Sequence, residues 1–371
     1  MTNSCPVQIF TDLSYTQLPL EYQKETLDAR QVKLVFTATS KLKTFLEAYI
    51  AKFNTYPGPA LDLSFLDLSE LDNLDYLFAS QALLENQPEM QARPLNLDFN
   101  SLDLKNITSL QGTFMGVELV TDLSQLDVSR VTNMSYLFAQ AVFSHPNLGL
   151  ANWNVAQVTN MSFMFQGACF KYPQDLENWN VAQVTNMQNM FALASNLGDL
   201  SLASWQVGQV TNMSAMFKKA HDFNGNLSQW NTAKVTQMQE MFYYANAFNC
   251  DLSYWDVSQV TDMTRMFAYA SNFTCDLSFW DTRKIKHRKD VFVGATKFMS
   301  AYKKRSRYHQ ARFSDISYSQ LPEILQEQRL NPQHVQITFT SQDKLEDFVE
   351  VYQARFPQAK DLSFISLQVE T

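Results

Sequence analysis

The sequence predicts an α/β solenoid of about nine strand–helix rungs with α/β caps at both ends. Three observations carry this expectation. A unit of about 25 residues recurs through the middle of the chain. Each unit switches between two hydrophobic periods, one suited to a strand and one to a helix. The two ends of the chain resemble each other.

The repeat is plain on self-comparison. "WNVAQVTNMSFMFQGA" begins at Trp153 and "WNVAQVTNMQNMFALA" at Trp179. "WQVGQVTNMSAMFKKA" begins at Trp205, "WNTAKVTQMQEMFYYA" at Trp230 and "WDVSQVTDMTRMFAYA" at Trp255. Every tryptophan, Trp280 included, sits in this one phase. A phenylalanine then marks each unit: Phe78, Phe114, Phe138, Phe165, Phe191, Phe217, Phe242, Phe267 and Phe292. An insertion between Ser80 and Asn100 lengthens the first spacing, and "IKHRKDVF" degrades the last unit.

Within a unit, Met161, Met164, Phe165 and Ala168 fall at i, i+3, i+4 and i+7, one face of a short helix. Thr159, and its counterparts Thr185, Thr211, Thr236 and Thr261, stand where an N-cap belongs. Ahead of the threonine, "DLSYWDVSQV" alternates about Trp255, which reads as a short strand. One such rung cannot offset the entropy of ordering its own residues, so rungs must stack and share buried faces. The Trp and Met columns are therefore read as core.

At the ends, "FTDLSYTQLP" from Phe10 matches "FSDISYSQLP" from Phe313. "VKLVFTATSKLKTFLEAYIAKF" from Val32 matches "VQITFTSQDKLEDFVEVYQARF" from Val335, and "DLSFLDL" from Asp62 matches "DLSFISL" from Asp361. The expected division is an N-terminal cap over 1–60, the repeat over 61–300, a basic linker over 301–312 and a second cap module over 313–371. The second copy reads either as a C-terminal cap or as the start of another array. The linker, with Lys284, Lys286, His287, Arg288 and Lys289, is the chain's basic concentration. It reads as a solvated segment or as a contact for an acidic partner or anionic surface.

The "WxVxxVTxMxxMFxxAxxFxxxL" unit resembles the 26-residue repeat of the BspA-like leucine-rich-repeat group of bacterial surface proteins, over roughly residues 32–300. The resemblance implies a leucine-rich-repeat-like solenoid and a non-enzymatic role, often adhesion or protein binding at the cell surface. The chain itself, from Met1 to Phe10, shows neither a basic n-region nor an apolar h-region. Sequence alone thus points to the cytoplasm and the resemblance to the cell surface. No apolar run is long enough for a membrane helix.

Chemistry-bearing patterns are sparse. The five histidines have no metal-ligand spacing, and no phosphate loop, nucleophile elbow or zinc-helix motif occurs. No catalytic residue, cofactor or metal is expected. The column Asp67, Asp103, Asp127, Asn154, Asn180, Gln206, Asn231, Asp256 and Asp281 suits side-chain bonds to nearby backbone better than catalysis. Cys250 and Cys275 share a phase on adjacent units and read as either a bridge or two thiols. A net charge of −8 argues against nucleic acid as the partner.

The column before the tryptophan varies most: Phe65, Ser101, Gln125, Asn152, Asn178, Ser204, Gln229, Tyr254 and Phe279. Variation on a constant frame suits recognition. Tyr254 and Phe279 are expected as adjacent exposed aromatics, with Tyr243, Tyr244 and Tyr269 on the helical side and Lys286 and Arg288 at the basic end. Together these are the candidate partner-binding residues. An aromatic ladder packed against a cap or linker is the alternative for the first pair. The function expected is a protein-binding scaffold, with adhesion at a bacterial surface as one form. An intracellular immunity or inhibitor protein is the other form.

Overall fold

The computed structural model describes residues 6–80, 94–99, 101–198, 200–305, 311–321, 323–326, 329–330, 335–359 and 361–367. Most of the Ser80–Asn100 insertion, the middle of the 301–312 linker and Cys5 lie outside the described residues.

Strands β1 (Gln8–Thr11) and β2 (Val32–Val35) pair in parallel, and β2 also pairs with β4 (Leu66–Asp67). Helix α1 (Thr39–Phe53) buries Leu42, Phe45, Leu46 and Tyr49 in this module. Its i, i+3, i+4, i+7 spacing is an authentic helical stripe. Strand β3 (Leu61–Asp62) pairs with β6 (Leu97–Asp98). Strands β5 (Pro94–Leu95), β7 (Glu118–Leu119), β8 (Val142–Phe143) and β9 (Cys169–Phe170) form a second small parallel sheet in that order. Helix α2 (Thr296–Arg305) follows the repeat. The C-terminal module holds β10 (Ala311–Ser314), the short α3 (Glu323–Gln326), β11 (Val335–Phe339), α4 (Gln342–Arg355) and β12 (Ile365–Leu367). Its parallel sheet has the order β10-β11-β12.

The leucine-rich-repeat-like solenoid of about nine strand–helix rungs is not what the chain builds. Among the described residues from Leu61 to Ala295 there is no α-helix, and each strand is two residues long. The stretch around each tryptophan, read as a strand, is unpaired coil and turn, with one 3-10 turn at Leu150–Asn152 before Trp153. The stretch read as a helix is a run of turns.

The reason lies in the backbone N–H groups. In the unit of Met161, alternate N–H groups leave the unit: Met161, Phe163, Phe165 and Gly167 donate to Asn186, Gln188, Met190 and Ala192 at 2.7–3.0 Å. The N–H groups of Met164, Gln166 and Ala168 close turns on Met161, Phe163 and Phe165. Phe163 and Gly167 hold left-handed φ of 60° and 66°, which no α-helix tolerates. The same pair of left-handed positions recurs at Asn189 and Leu193, at Ala215 and Lys219, at Glu240 and Tyr244, and at Arg265 and Tyr269. Backbone groups are thus satisfied without regular structure. The buried residues still fall at i, i+3, i+4 and i+7, because a turn repeated every four residues puts nearly the same positions inward as a helix.

Polar columns tie unit to unit. Single parallel bridges join Asn133, Asn160, Asn186, Asn212, Gln237 and Asp262 in succession. Asn160, Asn186 and Asn212 also turn their side-chain oxygens onto the N–H two residues on. The threonines are not helix caps. Thr159, Thr185, Thr211, Thr236 and Thr261 each donate both N–H and hydroxyl to the preceding unit's threonine carbonyl.

Inside, the columns are apolar. The indoles of Trp153, Trp179, Trp205, Trp230 and Trp255 stack at 6.2–6.5 Å with nearly parallel planes. Each indole N–H donates to a leucine carbonyl of the unit before, Trp205 to Leu176 at 2.9 Å, so a buried donor is paired. One continuous core runs from Tyr15 to Phe298. The C-terminal module has a separate core around Ile337, Phe348, Tyr352 and Phe364.

Candidate binding surface

The Tyr254–Phe279 column is set by short turns. The carboxylates of Asp251 and Asp276 accept the N–H of Ser253 and Ser278 at 2.9 and 3.0 Å, which fixes the residue that follows. Neither aromatic is exposed as expected; both are half-buried. The Arg329 guanidinium lies 3.8 Å from the Phe279 ring centre and 4.9 Å from that of Tyr254. One unit earlier in the same column, the Gln358 amide donates to Gln229 Oε1 at 2.9 Å. The C-terminal module therefore contacts the last three positions, Gln229, Tyr254 and Phe279, of the column that sequence variation singled out. Beneath this contact the Tyr352 hydroxyl accepts the Leu330 N–H, and burial pushes its phenol up to about 12.

Tyr243, Tyr244 and Tyr269 do come together, on the turn face rather than on a helix. Tyr244 and Tyr269 occupy successive left-handed positions (φ 58° and 61°) and stack at 4.4 Å with planes 10° apart. Tyr243 meets both edge-on, at 4.7 and 6.0 Å. The Tyr269 ring lies over Gly294, where a Cβ would fall 2.4 Å from it. Tyr269 still exposes 38% of its surface. Desolvation and its tyrosine neighbours raise the Tyr244 phenol above its ordinary value.

Charges that sequence reasoning missed border this cluster. Lys218 Nζ lies 5.5 Å over the Tyr243 ring and 2.5 Å from Glu240. Arg265 stands between Glu240 and Asp290, 3.7 and 3.8 Å away. Glu240, Arg265 and Asp290 occupy one left-handed column of successive units, four residues before Tyr244, Tyr269 and Gly294. Their alternating sign was readable at the repeat spacing, had the turn column been recognised. These partly exposed pairs contribute little stability each, so the alternation is mainly a surface pattern.

Lys286 and Arg288 are exposed on the last unit, on either side of His287, which pairs with Asp262. They are not brought into contact with the aromatics. The polar column after the tryptophan does bond to backbone: Asp67, Asp127 and Asp256 each accept the N–H two residues on at 2.9 Å. Cys250 and Cys275 carry thiols, each accepting a backbone N–H, from Leu227 and Leu252. Burial raises both thiol pKa values. Among the described residues no group of three or more His, Cys, Asp or Glu side chains is placed to hold a metal ion. No helix among them is long and apolar enough to cross a membrane.

Two segments, residues 86–200 and 196–305, match the family described as "Mycoplasma protein of unknown function, DUF285". Together they span more than half of the chain. No curated protein and no solved structure matches it.

Proposed function

The chain belongs to this family of Mycoplasma proteins of unknown function, and we propose that it is a non-enzymatic scaffold that binds a protein partner through its outer columns. The observation that carries this reading is the contrast between inside and outside. Trp, Met and Phe columns repeat almost unchanged within, while the left-handed positions vary along the repeat and gather Tyr244, Tyr269, Glu240 and Arg265 into one patch. Half-exposed tyrosines beside charged groups have the composition of interface anchors. We read the repeat as that of the BspA-like surface proteins and adhesion at a bacterial surface as the setting. The partner-binding residues on this reading are Tyr243, Tyr244 and Tyr269, with Lys286 and Arg288 as a separate basic edge.

A capture experiment tests this. The immobilised chain and its Tyr244→Ala/Tyr269→Ala form are each exposed to host surface extract and to lysate of the producing cells. A protein retained by the first and lost by the second supports the patch. Identical retention by both forms defeats it. A second reading, an intracellular protein that neutralises a basic partner, is favoured by the net charge of −8. Capture from the producing cells' lysate alone, abolished by salt, would select it.

A further inference from the structure

The two end modules are diverged copies, and the residues that join each to the repeat are among those that differ. Their internal contacts correspond at a constant spacing. The Leu27 N–H donates to Tyr49 Oη and the Leu330 N–H to Tyr352 Oη, both at 2.9 Å. Thr37 and Thr340 donate alike to Asp12 and Asp315. The N-terminal copy is joined to the repeat by Thr39, Lys43 and Asn54, which reach Asn73, Tyr76 and Pro94. Gln342, Glu346 and Pro357 stand at those positions in the C-terminal copy. That copy instead reaches the repeat with Arg329 and Gln358, where the N-terminal copy has Thr26 and Thr55.

The two attachments also differ in kind. The N-terminal module shares the continuous apolar core, whereas the C-terminal module keeps a core of its own. Its contact with the Gln229–Tyr254–Phe279 column is a guanidinium on ring faces and an amide pair. Arg329 Nε is buried there with no acceptor among the described residues. Stacking of a planar cation on aromatic faces is favourable, but the unpaired donor weakens the closed contact.

We propose that the Tyr254–Phe279 column is a guanidinium-recognition site, held in cis by Arg329, and that a basic protein partner reaches it by displacing the C-terminal module with an arginine of its own. The proposal rests on the scaffold reading and adds the chemistry of the partner. An arginine is specified over a lysine because a planar guanidinium can stack on an aromatic face, which a compact ammonium cannot. Tethering gives Arg329 a high effective concentration, so the free site is masked without being destroyed.

The test uses the full chain and two probes, an oligo-arginine peptide and an oligo-lysine peptide of equal length. The Arg329→Ala form is expected to bind oligo-arginine about ten-fold more tightly than the unaltered chain, with no matching gain for oligo-lysine. Adding Phe279→Ala, or Phe279→Leu to preserve apolar bulk, is expected to erase the gain. Amide exchange over 253–255 and 278–280 is expected to rise in Arg329→Ala and to fall again when oligo-arginine is added. Equal affinity of both forms, a gain that survives both Phe279 changes, or unaltered exchange overturns the proposal. None of these readouts depends on Tyr244 or Tyr269, so failure here is distinct from failure of the capture experiment.

Discussion

Lys219 offers a test of the turn-built unit whose sign, not only its size, is decided by the backbone. Its φ is 56°, and its N–H leaves the unit to bond Tyr243 O at 2.6 Å. An L-residue in the left-handed region costs about 1–2 kcal/mol. Glycine escapes that cost but loses about 0.5–1 kcal/mol more backbone entropy than alanine on folding. Lys219→Gly is therefore expected to be more stable than Lys219→Ala by about 0.5–1 kcal/mol. In a helix the order reverses, with alanine ahead by about 1 kcal/mol. Comparing the two variants with each other removes the lysine side chain from the question. Gly116, Gly167 and Gly294 already occupy this column with φ of 72°, 66° and 72°, so the space admits glycine.

The assay is denaturant unfolding of the full chain, with midpoints compared at a common slope. Gln188, whose carbonyl accepts the Phe163 N–H and which has no left-handed φ, is the control in the unit before. There the alanine form should exceed the glycine form by about 0.5–1 kcal/mol. An alanine form more stable than the glycine form at 219 would refute the turn geometry.

Two further outcomes are expected. Trp205→Phe removes the indole N–H bond to Leu176 O and opens the stack between Trp179 and Trp230; equilibrium unfolding should show a loss of about 2–4 kcal/mol, and a loss under about 1 would contradict a paired, packed indole. The Asp12 carboxyl is held at about 2, against an ordinary 3.8, chiefly by the Lys41 ammonium and then by the Thr37 donors. Its stabilising effect is complete above the unfolded value and is lost as pH falls from about 4 towards 2. The unfolding midpoint of Asp12→Asn should therefore fall less steeply over that window than that of the unaltered chain, and equal slopes would refute the assignment.

What the sequence made legible was whatever repeats. The Trp phase, the Phe phase and the twin end modules are all visible as spacing, and each corresponds to buried columns or to matched contacts in the structure. The backbone path was hidden because hydrophobic period reports which side chains face inward and not how N–H groups are paired. Met161, Met164, Phe165 and Ala168 are buried either way. Thr159 looked like a helix cap because it precedes such a stripe, yet its hydroxyl bonds a carbonyl 27 residues earlier. Non-glycine residues such as Phe163, Asn189 and Arg265 at left-handed positions gave no warning, since glycine marks that column only in part. Packing of Tyr254 and Phe279 against a cap was the alternative the sequence offered, but that Arg329 makes the contact was beyond reach for another reason. It joins two segments far apart in the chain through one side chain, and nothing periodic announces it.

The turn-built unit also bears on how such a surface changes. Half of the N–H groups in each turn run bond the next unit, so the backbone is fixed by its neighbours and not by the outward side chains. Phe163, Asn189, Ala215, Glu240, Arg265 and Asp290 occupy one backbone position with six different side chains. Asn189 and Asp290 adopt this conformation at lower cost than Phe163 or Ala215, and the interior columns that offset the cost recur beneath all of them. Substitution outward is thus nearly independent of substitution inward. The stacked Tyr244–Tyr269 pair and the alternating Glu240, Arg265 and Asp290 can then be exchanged for other groups while the Trp and Phe columns stay in place. A scaffold that separates its stability from its surface in this way is suited to changing partners, and that separation, more than any one residue, connects the repeat to the binding role proposed above.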